Sequence, residues 1–513
     1  MMKFMKKATA IACCLCTAFS MVACGGGGFK GEEVDLENDK LSGTLKINLW
    51  KGGFGVEWLD NLIVAFNEKY PDVEITYDPS PERMTVFGNI TGMGSEYDLI
   101  FQDAILMDYA EECMAPINDV YTYTNKGEST AVGDKMFDFY RDNLQLRGNY
   151  YQIPYAMGAY GIVYNCDVID EIPVTTEELK ALCTSIKTSI KPFIFSGEAG
   201  TGYWDFLYAT WFAQYEGKDT YLASLSGQTI NADGSKTYDP ATAYLPGGLK
   251  AMQVCEDLLW YTNGNIVTTS TAKAFKVAQR DFLKGEAAMM YNGSWLFNEM
   301  QLLFPNGPEY DFKMMKVPVI SAIKDKCTTI DNDAELASLV RAIDAGATSF
   351  DGVNEKDFAT VQEARNFYYV GAEGATGCVP INARNKTLAK RFLSFMYSEE
   401  GIKVHAQSGV GCVLPVKNLN VTVETEDTFT ASCYDIMLNN EVFCNTAVIA
   451  VTPYCTDPVA IMIENQFGAQ NSKDRTRAAD SFEDKKTLWT ANDNKKFWDA
   501  LINAGYITEK PAV

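Results

Sequence analysis

Residues able to do chemistry gather where segments of alternating hydrophobicity end. Trp50, followed by Lys51-Gly52-Gly53, closes a segment in which Leu45, Ile47 and Leu49 alternate with polar positions. Glu82 lies in Asp78-Pro79-Ser80-Pro81-Glu82, after Val73, Ile75 and Tyr77. Gln102 and Asp103 follow Asp98-Leu99-Ile100-Phe101. An aromatic face, an amide and carboxylates at three such ends can hold a polar ligand by stacking and hydrogen bonding. Each alone is an ordinary loop residue. Together they point at one crevice, because open α/β sheets bind ligands beyond the carboxyl ends of their strands.

The common catalytic devices are absent. His405 is the only histidine, which removes paired-imidazole zinc sites and leaves one candidate for a Ser-His-Asp triad. Its place after Gly401 reads as solvated or capping. There is no Gly-x-x-x-x-Gly-Lys-Ser/Thr and no Gly-x-Ser-x-Gly. Gly92-Met93-Gly94 lacks the third glycine of a dinucleotide site, and Gly197, Gly200 and Gly202 have the wrong order. The run Asp331-Asn332-Asp333-Ala334-Glu335 lacks the glycine and ligand spacing of an EF-hand and reads as the charged start of a helix. No cofactor and no metal is expected. With 67 acidic against 44 basic residues the net charge is −23, and such a surface repels nucleic acid.

The elements that position these residues read as α/β. Leu59, Leu62, Ile63 and Phe66 share a helical face between the first two strands, and Pro71 stops that helix. Phe275 to Leu283 reads as a helix ended by Gly285, Ala287 to Tyr291 as a buried strand, and Asn292-Gly293-Ser294 as a turn before Trp295. Leu388, Phe392, Phe395 and Met396 mark an amphipathic helix closed by Gly401. Residues 321–365 read as a helical insertion. An apolar fraction of 47% supports a sizeable core.

The amino terminus reads as a targeting segment. Lys3, Lys6 and Lys7 precede an apolar stretch, Ala8 to Val22, too short to span a bilayer comfortably. Met21-Val22-Ala23-Cys24 resembles a bacterial lipobox, which makes Cys24 the lipidated first residue; Met21 stands where Leu is usual. Residues 1–23 are then signal peptide and 24–40, with four glycines directly after Cys24, a flexible tether. Phe206 to Phe212 and Ala447 to Val451 are too short to cross a membrane. Ten cysteines remain beyond Cys24, with wide spacing and no Cys-x-x-Cys, so free buried thiols and disulfides both stay open.

The order of segments resembles the extracellular solute-binding proteins of ABC sugar importers, the broad family that includes maltose-binding protein. The resemblance is carried by Gly43 to Trp50, Phe66-Asn67-Glu68-Lys69-Tyr70-Pro71-Asp72-Val73, Tyr97-Asp98-Leu99-Ile100, and Ile153-Pro154-Tyr155 with Tyr164-Asn165. Further on it rests on Phe282-Leu283-Lys284-Gly285-Glu286-Ala287-Ala288-Met289 with Gly293-Ser294-Trp295, and Ala389 to Leu393 with Ser398-Glu399-Glu400-Gly401. It spans Ser42 to Pro415.

The resemblance implies a two-lobed, type II periplasmic-binding-protein-like α/β fold. Each lobe is then an open, mostly parallel sheet flanked by helices, with the ligand cleft between the lobes. Lobe 1 is expected over 41–153 and 377–413, lobe 2 over 154–376 and 414–513. Three crossings are expected: Tyr155 to Tyr160, Tyr369 to Cys378 and Gly411 to Pro415. Gly374 suits a crossing that bends close to ligand. The family's stacking aromatic matches Trp295, and Trp204 lies where related proteins place another. Trp50, Glu82, Gln102, Asp103 and Tyr155 complete the implied carbohydrate site. The implied protein is a monomer, held by lipid at the extracytoplasmic face of the membrane, that delivers sugar to permease subunits. A cell-surface glycosidase, needing only two carboxylates, and a carbohydrate adhesin without transport are the alternatives.

Overall fold

A computed structural model describes residues 36, 40–80, 96–103, 109–199, 202–260, 262–372, 374–443, 477–488, 494–503 and 506–510. Glu82, Cys24, Ala447 to Val451, Cys444, Cys455 and the side chain of Asp103 lie outside the described residues.

The alternation of Leu45, Ile47 and Leu49 forms β1 (Gly43–Trp50), with all three side chains buried. Helix α1 (Glu57–Lys69) buries Trp58, Leu59, Leu62, Ala65 and Phe66, and ends at Tyr70, just before Pro71. β2 (Val73–Ser80) and β3 (Leu99–Asp103) flank β1 in parallel. The second strand runs further than its sequence suggests, through Pro79. That is tolerated because β2 is an edge strand, so the missing N–H interrupts no ladder. The carboxylate of Asp98, 5% exposed, accepts from the backbone N–H of Lys46 (3.0 Å) and of Asn385 (2.8 Å), tying β1 to the start of a distant helix.

The chain then supplies β4 (Gln152–Pro154), β5 (Gly158–Asn165), β6 (Lys191–Phe193), β7 (Ala287–Gly293), β8 (Phe312–Met315), β9 (Phe367–Gly371), β10 (Ala375–Cys378) and β11 (Glu441–Phe443). One sheet has the order β2-β1-β3-β10-β4, the other β11-β9-β5-β7-β6, with β8 also paired to β5. Both sheets are mixed rather than mostly parallel. The reason is directional. β10 enters its sheet from the crevice, where β1, β2 and β3 end, so it runs against them; β5 likewise enters the second sheet from the crevice and runs against β7 and β9.

The chain passes between the sheets after Pro154, after Gly371 and again near Val413. The first and third passages are paired: Met157 N–H donates to Val413 O (2.7 Å) and Val413 N–H to Met157 O (3.0 Å). Tyr155 N–H donates to Ala375 O at 3.0 Å, joining the first passage to the end of the second.

Helices cover the sheets. The apolar run Phe206 to Phe212 lies in α2 (Trp204–Glu216), buried nearly all round as a core helix. Among the described residues no helix is long and apolar enough to cross a membrane. Helices α3 (Phe275–Leu283) and α4 (Leu296–Met300) bracket β7. Residues 321–365 hold α5 (Asp333–Asp344) and α6 (Glu355–Arg365). The acidic run caps α5, with the Asn332 side chain accepting from Glu335 N–H. Asp357, 1% exposed, accepts from the backbone N–H and hydroxyl of both Thr328 and Thr329, pinning α6 to the preceding loop. Eight described cysteines are free thiols: Cys113, Cys166, Cys183, Cys255, Cys327, Cys378, Cys412 and Cys433.

Gly401 does not end a helix. Helix α7 (Lys386–Met396) stops by itself, and Gly401 lies in the first turn of α8 (Glu399–Gln407), its N–H held by the Ser398 side chain at 3.0 Å. Glycine is needed because a Cβ there would lie 2.1 Å from Phe395 O. Alanine in a helix is ordinarily worth about 1 kcal/mol over glycine. Here Gly401→Ala is expected to destabilise instead, by roughly 1–3 kcal/mol of overpacking. A denaturant midpoint equal to or above that of the parent would refute the tight contact.

Candidate functional site

A cavity of about 520 Å³ opens where the passages between the sheets converge, within the size range of small-molecule sites. Its walls are largely aromatic. Trp50 and Phe54 come from the end of β1 and the loop after it. Tyr155 and Tyr160 come from the first passage and β5. Tyr203 precedes α2, Phe275 and Lys276 open α3, and Trp295 and Glu299 follow β7. Ala372, Gly374 and Ala375 form the second passage.

Small residues make room for the rings. A Cβ on Gly52 would lie 2.3 Å from the Trp50 ring. A Cβ on Gly293 or Gly371 would lie 2.2 Å or 2.7 Å from the Trp295 ring. The indole of Trp295 thus lies against two strand ends with only 7% of the residue exposed. Phe54 and Tyr160 meet it edge-on, at 5.9 Å and 5.1 Å between centroids. It is more enclosed than a residue at a cleft mouth, because both glycines let backbone approach the ring.

Tyr155 is fixed from behind. Its ring stacks on Trp58 at 5.0 Å and meets Phe101 edge-on at 5.2 Å. His405 Nε2 lies 2.8 Å from Tyr155 O. A carbonyl only accepts, so Nε2 carries the proton and donates. His405 is fully buried inside α8, not solvated or capping, because α8 continues past Gly401 and turns this face onto Trp58. Burial lowers its pKa to about 4, with the bond to Tyr155 opposing. The imidazole is therefore neutral at ordinary pH. Nδ1 has no partner among the described residues.

The expected site residues divide. Trp50, Tyr155, Trp295 and Gly374 line the cavity together. Trp204 does not: it is 1% exposed and packs edge-on against Phe193 at 5.3 Å, while its neighbour Tyr203 lines the cavity instead. Gln102 is buried within the first sheet, donating to Asn48 Oδ1 at 2.7 Å, because its place is inside β3 rather than after it. Asp103 closes β3 opposite Ala375, which lines the cavity.

Sequence reasoning missed Phe54, Tyr160, Tyr203, Phe275, Lys276 and Glu299. Glu299 was reachable: it stands one helical turn after Trp295, and its N–H donates to Trp295 O. Its carboxylate accepts from the buried Gln279 amide at 2.8 Å, which orients it. Glu299 is the one carboxylate among the described residues lining the cavity, and Lys276 the one ammonium. Broad apolar faces with a few fixed polar groups suit a ligand that is apolar on its faces and polar at its rim.

Residues 61–430 match the model of a family described as bacterial extracellular solute-binding protein. The chain belongs to that family. Three solved structures share its fold. The GacH receptor of Streptomyces glaucescens, studied without ligand and with acarbose, is 16% identical with a TM-score of 0.52, covering 88% of this chain and 100% of its own. The solute receptor AcbH, described as preferring β-D-galactopyranose exclusively, is 14% identical with a TM-score of 0.54, covering 88% and 100%. Maltose-bound T. maritima MalE3 is 16% identical with a TM-score of 0.50, covering 87% and 99%. The two-lobed α/β fold of solute-binding proteins is therefore the fold of this chain, whose family consists of solute-binding proteins rather than enzymes and is extracellular.

His405 gives a pH dependence. Its folded pKa, about 4, lies below the 6.5 of an unperturbed imidazole. The unfolded chain thus binds a proton between those values that the folded chain refuses. Stability from this group is complete above pH 6.5 and declines as pH falls to about 4, by roughly 3 kcal/mol. Comparing urea unfolding of the parent and of His405→Gln at pH 7.5 and pH 4.5 checks this. The parent should lose more stability on acidification; equal losses would show that His405 does not titrate in this way.

Proposed function

We propose that this protein captures a carbohydrate outside the cell, closes around it, and delivers it to the permease of an ABC importer. The observation that carries this reading is the aromatic cavity set where the chain passes three times between the sheets. Pyranose rings present apolar C–H faces and a fringe of hydroxyls. Trp50, Tyr155, Trp295 and Tyr203 supply faces; Glu299 and Lys276 supply an acceptor and a donor for the fringe. The ligands named for the fold relatives, acarbose, maltose and β-D-galactopyranose, are of the same class.

Closure is the motion this reading requires. Lobe 1, over 41–153 and 377–413, and lobe 2, over 154–376 and 414–513, turn about the passages. A ligand that touches both lobes only when they are closed shifts the population that way. Hinge closure around a ligand is a general property of periplasmic binding proteins, and the three passages are where such a motion would bend this chain.

Thermal-shift screening against mono- and oligosaccharides tests the reading. A sugar at 100 times its dissociation constant adds about 2.7 kcal/mol of stability, and small-angle scattering should then show a smaller radius of gyration. Trp295→Ala should weaken binding of that sugar by roughly 2 kcal/mol or more. Because the ring is nearly buried, the melting temperature should fall as well, so affinity must be measured on the folded fraction. Unchanged affinity there would remove Trp295 from the site.

The protein works as a lipid-anchored monomer, with Cys24 as the modified residue and 24–40 as tether. More than one acyl chain holds a protein at a membrane far more firmly than one. Cys24→Ala should therefore appear in the medium or remain unprocessed. Fractionation that finds it cut at the same place and still membrane-bound would defeat the anchoring claim.

A further inference from the structure

We infer that Gln279, which does not itself line the cavity, is a positioning residue: it aims the Glu299 carboxylate and so sets which ring hydroxyl of a sugar that carboxylate accepts. This rests on the reading of the cavity as a carbohydrate site. Among the described residues, three buried side-chain amides hold one polar atom without a partner: Gln214 Nε2, Asn265 Oδ1 and Gln279 Oε1. A buried atom left so costs stability, and each calls for a reason. Two of the reasons are structural. Gln214 Oε1 accepts from the Ile320 backbone N–H at 2.9 Å, and the Asn265 amide donates to Leu258 O at 3.0 Å. Both amides hold main chain. Gln279 holds none. Its hydrogen bond goes to a side chain, Glu299 Oε2, and Glu299 lines the cavity.

The amide cannot be turned to do better. A carboxylate only accepts, so the Gln279 Nε2 must face it, and Oε1 is left where no donor reaches. The same helix shows that a buried polar side chain can be satisfied on both sides. Asp281, two residues on, pairs through one oxygen with Lys273 and accepts through the other from Arg280 at 2.6 Å. Gln279 is fully buried and only half satisfied. An apolar side chain of the same length would occupy that place with no orphan atom.

What the amide achieves is at Glu299. The Glu299 backbone N–H is already held by Trp295 O at 3.0 Å. With Oε2 held by Gln279 as well, the other carboxylate oxygen has a narrow range of directions in which to accept. A carboxylate free to swing accepts from hydroxyls in several places and tells epimers apart poorly. A fixed one rewards a single hydroxyl position, and a site built to bond a hydroxyl rejects the analogue that lacks it. Gln279 also stands one turn after Lys276 on α3, where residues three apart share a face. The cavity's ammonium and its carboxylate therefore belong to one stretch of wall, suited to neighbouring hydroxyls of the same ring.

Gln279→Met keeps the length of the side chain and removes the amide. Calorimetric titration should use the sugar of the thermal-shift panel that binds the parent most tightly, and its epimers at single ring hydroxyls. The variant should bind the preferred sugar at least fivefold more weakly and the epimers with less change, so that the preference narrows. Without ligand it should melt at or above the parent, because an orphan buried atom is gone. In the Glu299→Ala protein the same substitution should change affinity less than twofold, since Gln279 acts through Glu299. Gln279→Asn, whose amide stops one methylene short, should weaken binding in the parent background likewise. Parent-like affinity and preference in both Gln279 variants overturn the inference and leave the carbohydrate reading in place. An equal loss with and without the Glu299 carboxylate overturns it too, as does a Gln279→Met protein that melts below the parent, which would make the amide structural. A parent that binds no sugar of the panel overturns the carbohydrate reading and this role with it.

Discussion

The structure depends on the pairing of its passages between sheets. Met157 and Val413 exchange both backbone hydrogen bonds, and Tyr155 bonds to Ala375. Three segments far apart in sequence are thereby held side by side at one place. Much of what lines the cavity is referred to that junction: Trp50 through the register of β1 and β3, Trp295 through the pairing of β7 with β5, and Gly374 within the second passage itself. The junction is backbone hydrogen bonding, so it fixes position with little dependence on side-chain identity. The walls can then vary while the frame stays.

Glycine and aromatic residues act here as one device. A strand end that stops in glycine lets an indole lie flat against backbone. Gly293 and Gly371 do this for Trp295, and Gly52, in the turn after β1, leaves room for the Trp50 ring. Packing already fixes the enclosed rings before anything enters the cavity. Behind them, Trp58, Phe101 and the neutral His405 hold Tyr155 from the opposite side. A charged imidazole there would have no counter-ion in that apolar layer, which is the physical reason its pKa is lowered.

Ionic groups keep to the margins of this arrangement. Arg341 with Glu178 joins elements at the surface, and the buried Lys390 pairs with Asp119 away from the cavity. Lys273, just before α3, pairs with the buried Asp281 inside that helix, which also carries Phe275 and Lys276, and so steadies one wall. Within the cavity, Glu299 and Lys276 are few against many rings. Such a balance favours ligands whose polar groups are spread around a rim, and it is consistent with family membership shown by residues 61–430.

The sequence alone determined the elements whose pattern is local. Alternation fixed β1 and β2, a helical stripe fixed α1, and the run Ala287 to Met290 marked β7. The segment order also pointed to the solute-binding fold. Tertiary structure alone decided which side chains meet. Gln102 reads as a loop residue until β3 is seen to extend through it. Tyr203 and Trp204 stand as equal candidates until a left-handed turn sends one to the cavity and the other to the core. His405 reads as exposed until α8 is seen to continue past Gly401. Periodicity reports only which face of its own element a residue occupies. What that face meets is set by backbone pairing between residues hundreds of positions apart, and by turns whose handedness no local pattern encodes.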